Sequence, residues 1–234
     1  MSEMGGFHYS GLVELEKLEL NLDNYNHFIV TQFINHAKSK NKVLDFGAGI
    51  GTLSNIWKKL EGTSSITCLE PDESQVKIIL ERGLSGFTSL SVDSAFDYIF
   101  TSNVLEHIDD DRAAIKFLFY HLISGGKVGI FVPANKFIYS HIDKKLEHFR
   151  RYDKKELIEK VAGAGFKIDS CVFVDSIGLF AWLFLKIFKL QISESGSRLL
   201  PIYDKFIWPI SQFLDNLGLK YLFGKNLLLL ASKK

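Results

Sequence analysis

The stretch VLDFGAGIGTLS, residues 43–54, constrains the fold more than any other. A short apolar run, KVLDF, breaks into three glycines and then resumes with a helical pattern. A strand that turns on glycines into a helix opens a βαβ unit. In such units the turn lies at the carboxyl edge of the sheet, where ligands bind. Gly47, Gly49 and Gly51 let the backbone approach a ligand that side chains would exclude. A dinucleotide fingerprint wants its third glycine at a position that here is Thr52. Asp45, just before the turn, would repel a pyrophosphate and suits a cationic ligand, such as one carrying an ammonium and a sulfonium. Glu70 ends the next apolar run, SITCLE, and a carboxylate there can accept both hydroxyls of a ribose.

From Val43 onward, strand-like and helix-like segments alternate. FDYIFTS is a third strand-like run, and KVGIFVP, launched by Gly125 and Gly126, is a fourth. Helical patterns lie between them at Thr52–Leu60, Glu73–Arg82 and Arg112–Ile123. This alternation predicts a mostly parallel, doubly wound sheet. The polar stretch LSGFTSLSVDS from Leu84 to Ser94 is too short to place a strand. Asp153 with Glu156 three residues on reads as a capping box that opens a helix to Gly163. KIDSCVFVD and NLLLLAS read as two late strands, and the segment between them, 176–224, is a helical insertion rich in Phe, Leu, Ile and Trp. Gly11–Lys40 reads as one or two helices ahead of the sheet.

These motifs together resemble the class I S-adenosylmethionine-dependent methyltransferases, in the small-molecule branch of types 11 and 12. VLDFGAGIGTLS matches the glycine-rich first motif, and CLEPD the acidic second. FDYIFTSNVLEHIDDD matches the strand and loop beside the cofactor, with its Leu105-Glu106-His107 triplet, and LISGGKVGIFVPA the next turn and strand. The resemblance implies an α/β, Rossmann-like, doubly wound sheet of seven strands whose last strand is antiparallel. It implies one domain: an N-terminal helical cap (1–41), a core (42–175), the apolar insertion (176–224) and the last strand (225–234). S-adenosylmethionine is the implied cofactor. Gly47, Ala48, Gly49 and Gly51 would pack against its methionine part, with Asp45 nearby. Glu70 would hold the ribose, Pro71 and Asp72 would flank the adenine, and Asn103 and Val104 would line the other side. The adenine amino group would meet either Ser89 or Asp93.

Methyl transfer from a sulfonium is an in-line displacement, in which positioning and desolvation are the main tasks. A hydroxyl acceptor gains from a general base as well. The segment SHIDKKLEHFRRY, residues 140–152, follows the strand KVGIFVP and gathers two His, two Arg, an Asp and a Tyr. His148 is the candidate base, and Arg150 with Arg151 a candidate clamp for a carboxylate or phosphate. His107 is the next candidate; the bland alternative is that it orders its own loop. Arg150 and Tyr152 have a bland reading too, as anchors of the loop to the sheet. A branch of the same family carries a similar His-aromatic-Arg-Arg-Tyr run, with glycine where this chain has Glu147. Tyr25 and Phe28 are candidate lid residues or core.

The apolar run IGLFAWLFLKIFKL, residues 177–190, has lysines near its end. Packing in the core or in a homodimer face is the preferred reading; peripheral membrane contact, at the inner face, is the alternative. A net charge of +1 over 234 residues gives no sign of a nucleic-acid surface. The two cysteines, Cys68 and Cys171, lie in apolar runs and read as buried thiols, so no disulfide framework or metal ligand set is assigned. The N-terminus MSEMGGFHYS has no apolar signal region, which predicts a cytoplasmic protein. The reading is therefore a methyltransferase acting on a small-molecule, glycan or lipid-linked acceptor, on oxygen. Its rivals are a nicotinamide-dependent oxidoreductase and a non-catalytic module that binds the cofactor.

Overall fold

The computed structural model describes residues 21–62, 65–188 and 199–234. The expected helical segment 11–20, His8 and Lys189 lie outside them. Helix α1 (Asp23–His36) leads into β1 (Lys42–Phe46), α2 (Thr52–Glu61), β2 (Ser65–Leu69), α3 (Glu73–Glu81), β3 (Ser85–Phe87) and β4 (Phe96–Ser102). A 3₁₀ turn (Leu105–His107), α4 (Asp111–Tyr120) and β5 (Leu122–Pro133) follow. Then come a second 3₁₀ turn (Lys136–Ile138), α5 (His141–Lys145), α6 (Lys154–Gly163), β6 (Lys167–Val174) and α7 (Ser176–Ile187). Beyond the undescribed residues, a π-helical turn (Tyr203–Ile207) enters α8 (Trp208–Asn216), and β7 (Asn226–Ser232) ends the chain.

The seven strands form one sheet in the order β3-β2-β1-β4-β5-β7-β6. Pairing is parallel from β3 through β5, and β7 runs antiparallel to both of its neighbours. The expected doubly wound sheet with an antiparallel last strand is thus the observed one. The stretch Leu84–Ser94, left without a strand in the sequence, holds the three-residue edge strand β3. The expected third helix stops at Tyr120 because residues 122–126 are drawn into β5.

Alternation along the strands splits the core in two. Leu44, Ile99, Ile130 and Val132 face one side, under Ile115, Leu118, Leu157 and Val161 of α4 and α6. Val43, Tyr98, Phe100 and Phe131 face the other, under Phe33, Trp57 and Trp208. On that side Phe33 lies so close to β5 that a Cβ on Gly129 would stand 2.3 Å from the ring.

Three buried aspartates fasten the insertion. Asp204 accepts from the backbone N–H groups of Asn24 and Tyr25, both at 2.9 Å, and so caps α1 from 180 residues away. Leu22, at the N-cap position itself, offers no side-chain cap. Asp175 accepts from Gly178 N–H, Ser211 Oγ and Tyr203 OH, and pairs with Lys225 at 3.0 Å. Asp215 accepts from the N–H groups of Asp175 and Ser176. Tyr25 and Phe28, the candidate lid residues, pack edge-on against Trp208 with ring centroids at 4.5 and 5.0 Å. Their place is in the packing between α1 and the insertion.

The capping box expected at Asp153 and Glu156 does not form: Asp153 makes no side-chain cap. Its carboxylate accepts from Lys136 N–H instead, and Glu156 pairs with Lys136 and Lys160. A capping box does form at Ser140 and Asp143.

Gly129→Ala should lower stability by about 1–3 kcal/mol, the usual range for forcing a methyl group into a filled core. Urea unfolding measures it, and Phe33→Leu in the same chain should recover part of the loss.

Candidate functional site

The glycine turn is built by β2 as much as by β1. The N–H groups of Gly47 and Ala48 both donate to the Leu69 carbonyl, at 2.9 and 3.1 Å. The Gly49 N–H donates to Glu70 Oε2 at 2.9 Å, and the Asp72 N–H donates to Glu70 Oε1 at 3.1 Å. Each Glu70 oxygen thus holds one backbone donor and keeps further acceptor capacity. Burial pushes the Glu70 carboxyl up from its usual range, against the lowering effect of these two bonds.

Gly47 has φ +75°, and a Cβ there would stand 2.4 Å from Val104 Cγ2. The absent side chain lets the loop after β4 close onto the turn. At Gly51 a Cβ would meet Leu84 and Ile79 at 3.0 and 3.3 Å, so this glycine serves helix packing. Asn103 takes φ 54°, the left-handed conformation that Asn tolerates, and its N–H donates to the Phe131 carbonyl. Asp72 is the N-cap of α3, accepting from Ser74 and Gln75 N–H; Pro71 beside it is exposed. Ser89 and Asp93 are both exposed beyond β3.

Asp45 is buried behind the turn and accepts from Ser54 Oγ at 2.7 Å. Burial raises its carboxyl to about 7, with Glu70 adding to the effect. No Lys or Arg ion pair offsets it among the described residues.

The second half of the site hangs from the end of β5. Asp143, fully buried, accepts at Oδ1 from His148 Nδ1 (3.2 Å) and Arg151 Nε (2.7 Å), and at Oδ2 from Ser140 N–H (2.9 Å). Burial pushes this carboxyl up, but the bonds from His148, Arg151 and Ser140 outweigh it and hold it below its usual range. The His148 ring stands edge-on to His107, centroids 4.6 Å apart. Burial and the neighbouring His148 push His107 down to about 4, so it is neutral near pH 7. Glu106, beside it, is 0% exposed, and neither of its carboxylate oxygens has a side-chain partner among the described residues. Burial lifts it to about 8.

The two arginines are already committed inside the chain. Arg150 pairs with Asp111 at 3.0 Å and donates to the Asp109 carbonyl. Arg151, 2% exposed, binds Asp143 and the Ala134 carbonyl and stacks under the Trp182 ring at 4.5 Å. Both guanidiniums are thus engaged within the chain, in place of the clamp expected from the sequence. Tyr152 anchors the loop, donating to Asp111 Oδ2 and the Leu105 carbonyl. Glu147 sits at φ 58°, the conformation that glycine takes without strain.

The structure brings together His107 and His148, which the sequence offered as separate candidates. Sequence reasoning missed Glu106 and Asp143 as members of the group. For Asp143 a signal existed: Ser140 with an acid three residues on, ahead of a short helix.

The family model described as a methyltransferase domain matches residues 21–170. The chain belongs to that methyltransferase family. No curated protein sequence matches it. Solved structures share its fold. A methyltransferase from Thermotoga maritima is 16% identical, with 95% of this chain and 96% of that one covered and a TM-score of 0.62. One from Archaeoglobus fulgidus is 17% identical, with coverage of 94% and 99% and a TM-score of 0.61. Phosphoethanolamine N-methyltransferase 2 of Haemonchus contortus, solved with S-adenosylmethionine, is 17% identical over 99% of this chain and 58% of its own, with a TM-score of 0.63.

The family's cofactor, S-adenosylmethionine, fits the residues present. The turn is bare of side chains, Glu70 has acceptor capacity left on both oxygens, and Asp45 is a buried acid without a cation. An open groove of about 440 Å³ between α1 and α8, lined in part by Thr31, Trp208 and Gln212, lies outside this arrangement.

Two outcomes follow for the cofactor. Glu70→Ala should weaken S-adenosylmethionine binding by about 1–3 kcal/mol in calorimetry, through lost charge-assisted bonds. A cationic ligand near Asp45 lowers its pKa from about 7, so binding should release a proton. Affinity should then rise with pH between about 5 and 7, and Asp45→Asn should flatten that rise.

Proposed function

We propose that the chain transfers the methyl group of S-adenosylmethionine to a hydroxyl oxygen of a lipid-linked acceptor, a small molecule or glycan intermediate presented at a membrane surface. One observation carries this reading: the apolar insertion lies directly on the acceptor loop. Trp182 of α7 covers Arg151, and Lys186 of the same helix donates to the Phe137 carbonyl. The outer sides of α7 and α8, which pack against each other, expose large apolar side chains, among them Phe180, Phe184 (53%), Ile187, Ile210, Phe213 (62%) and Leu217. The sequence favours packing in the core or in a homodimer face; these side chains are not covered by the chain's own core among the described residues, which leaves the homodimer face and the membrane as the two readings. An exposed apolar face on a segment that also carries Lys205 and Lys220 suits a lipid interface, where lysine stems lie along the apolar layer and ammonium groups meet headgroups. No helix among the described residues is long and apolar enough to cross a membrane.

The cofactor supplies an activated methyl group; the chain's own residues must place the acceptor and weaken its O–H bond. Val104 lies against Gly47, so the turn bearing Glu106 and His107 starts at the wall of the cofactor cradle. Asp143 fixes the His148 ring with its Nδ1 engaged, leaving the other ring nitrogen for the acceptor side. His148 and His107 are the proposed catalytic residues, and Arg151 positions His148 through Asp143. The nicotinamide reading has no support in the family match. The non-catalytic reading predicts tight cofactor binding without turnover.

Liposome flotation tests the membrane part. Wild-type protein should float with anionic vesicles. Phe184→Asp with Phe213→Asp should abolish flotation while leaving cofactor affinity and melting temperature near wild type. A dimer by light scattering that the double variant splits, with no flotation of either form, would assign this face to self-association instead. His148→Gln should cut turnover roughly 10²–10⁴-fold at unchanged cofactor affinity, the range for a lost proton-handling group.

A further inference from the structure

Glu106, His107 and His148 converge in a way that neither the fold nor simple packing requires. One donor atom from each lies within 4.8 Å of the donor atoms of the other two. Glu106 is wholly buried and faces this spot with both oxygens lacking a side-chain partner. A buried carboxylate left in that condition is costly unless something fills the space in front of it. Both imidazoles are also pre-oriented. His148 Nδ1 is held by the Asp143 carboxylate at 3.2 Å, and the His107 ring is bonded to the Glu147 carbonyl. An outer carboxylate or carbonyl on one ring nitrogen is how metal-ligating histidines are commonly fixed, with the other nitrogen turned to the ion.

We propose that Glu106, His107 and His148 bind a divalent metal ion of the borderline class, zinc, manganese or ferrous iron, with positions left open for further ligands. Two imidazoles and a carboxylate are the donor set those ions take. Donors sharing one ion at about 2.1 Å stand roughly 3–4 Å apart, so the three side chains close by about an ångström on binding. Asp143 and Arg151 neutralise each other beside the site, so Glu106 is the carboxylate that offsets the ion's charge. The ion's role deepens the reading above and rests on it. An acceptor hydroxyl bound to the open position is acidified, its proton passes to solvent, and the oxygen takes the methyl group as the carbon–sulfur bond breaks. His148 then acts as a ligand of the ion. The binding itself needs neither cofactor nor acceptor.

The test separates the two. Full-length protein is stripped with a chelator, and zinc and manganese are each titrated by calorimetry without cofactor or acceptor, with metal content read by mass spectrometry. One ion per chain is expected. Glu106→Gln and His107→Gln should each weaken it at least tenfold, while His27→Gln, on the far α1 surface, should not change it. Manganese bound to the wild-type protein should show nitrogen couplings in pulsed electron paramagnetic resonance, a readout that needs no variant to fold. Less than a tenth of an ion per folded wild-type chain, or binding unchanged in Glu106→Gln, would overturn the site. Metal bound with full stoichiometry but without effect on methyl transfer would leave the site standing and remove its catalytic role.

Discussion

The carboxylate of Asp143 is the single group on which the loop after β5 depends. It lies in the interior and gathers a backbone N–H, an imidazole and a guanidinium. Through Arg151 it is tied to the Ala134 carbonyl at the end of β5 and to the Trp182 ring of α7. Sheet edge, loop and insertion therefore meet at one side chain. Breaking a buried pair by removing one partner costs about 3–5 kcal/mol, far more than an exposed pair is worth, because the remaining charge is stranded. The neighbouring Glu106 has no such side-chain partners among the described residues, so the two buried acids differ in how they are satisfied.

The cofactor half follows a different logic. It is made from the carboxyl ends of β1, β2 and β4, and its contacts are mostly backbone: the turn hangs on the Leu69 carbonyl, and Glu70 reaches back to hold Gly49. Such a cradle depends on chain geometry more than on side-chain identity, which is consistent with a fold shared at 16–17% identity with other methyltransferases. The loop after β5 and the insertion, where the acceptor is proposed to bind, are built from side-chain contacts and have room to differ.

What was legible in the sequence follows the same division. Strands such as KVLDF and NLLLLAS announced themselves because buried strands are short, continuous apolar runs between turn residues. The three-residue β3 could not, since an edge strand of that length has no periodicity to read. The apparent capping box at Asp153 failed because Lys136, distant in sequence, outcompetes the helix end for both acids. Arg150 and Arg151 looked like a ligand clamp because their partners, Asp111 and Asp143, could not be assigned without coordinates. An apolar helix reads alike whether it is buried or exposed, so the open face of α7 became visible only once the sheet had been covered by other elements.

The route of the chain through the sheet has a consequence for how it is made. The ribosome releases β6 before β7, yet β6 hydrogen-bonds to β7 alone and must wait for the whole insertion to emerge. Helix α1 waits as well: Asp204 caps it from 180 residues downstream, and Asn226 reaches Tyr25 across 201 residues. The parallel half, β1 to β4, closes from neighbouring segments and can collapse during synthesis. The rest cannot, and two strand edges stay open until β7 has emerged. Strand β7 therefore joins helix α1 to the middle of the fold, and deleting that one strand should leave an aggregation-prone open sheet in place of a slightly smaller fold.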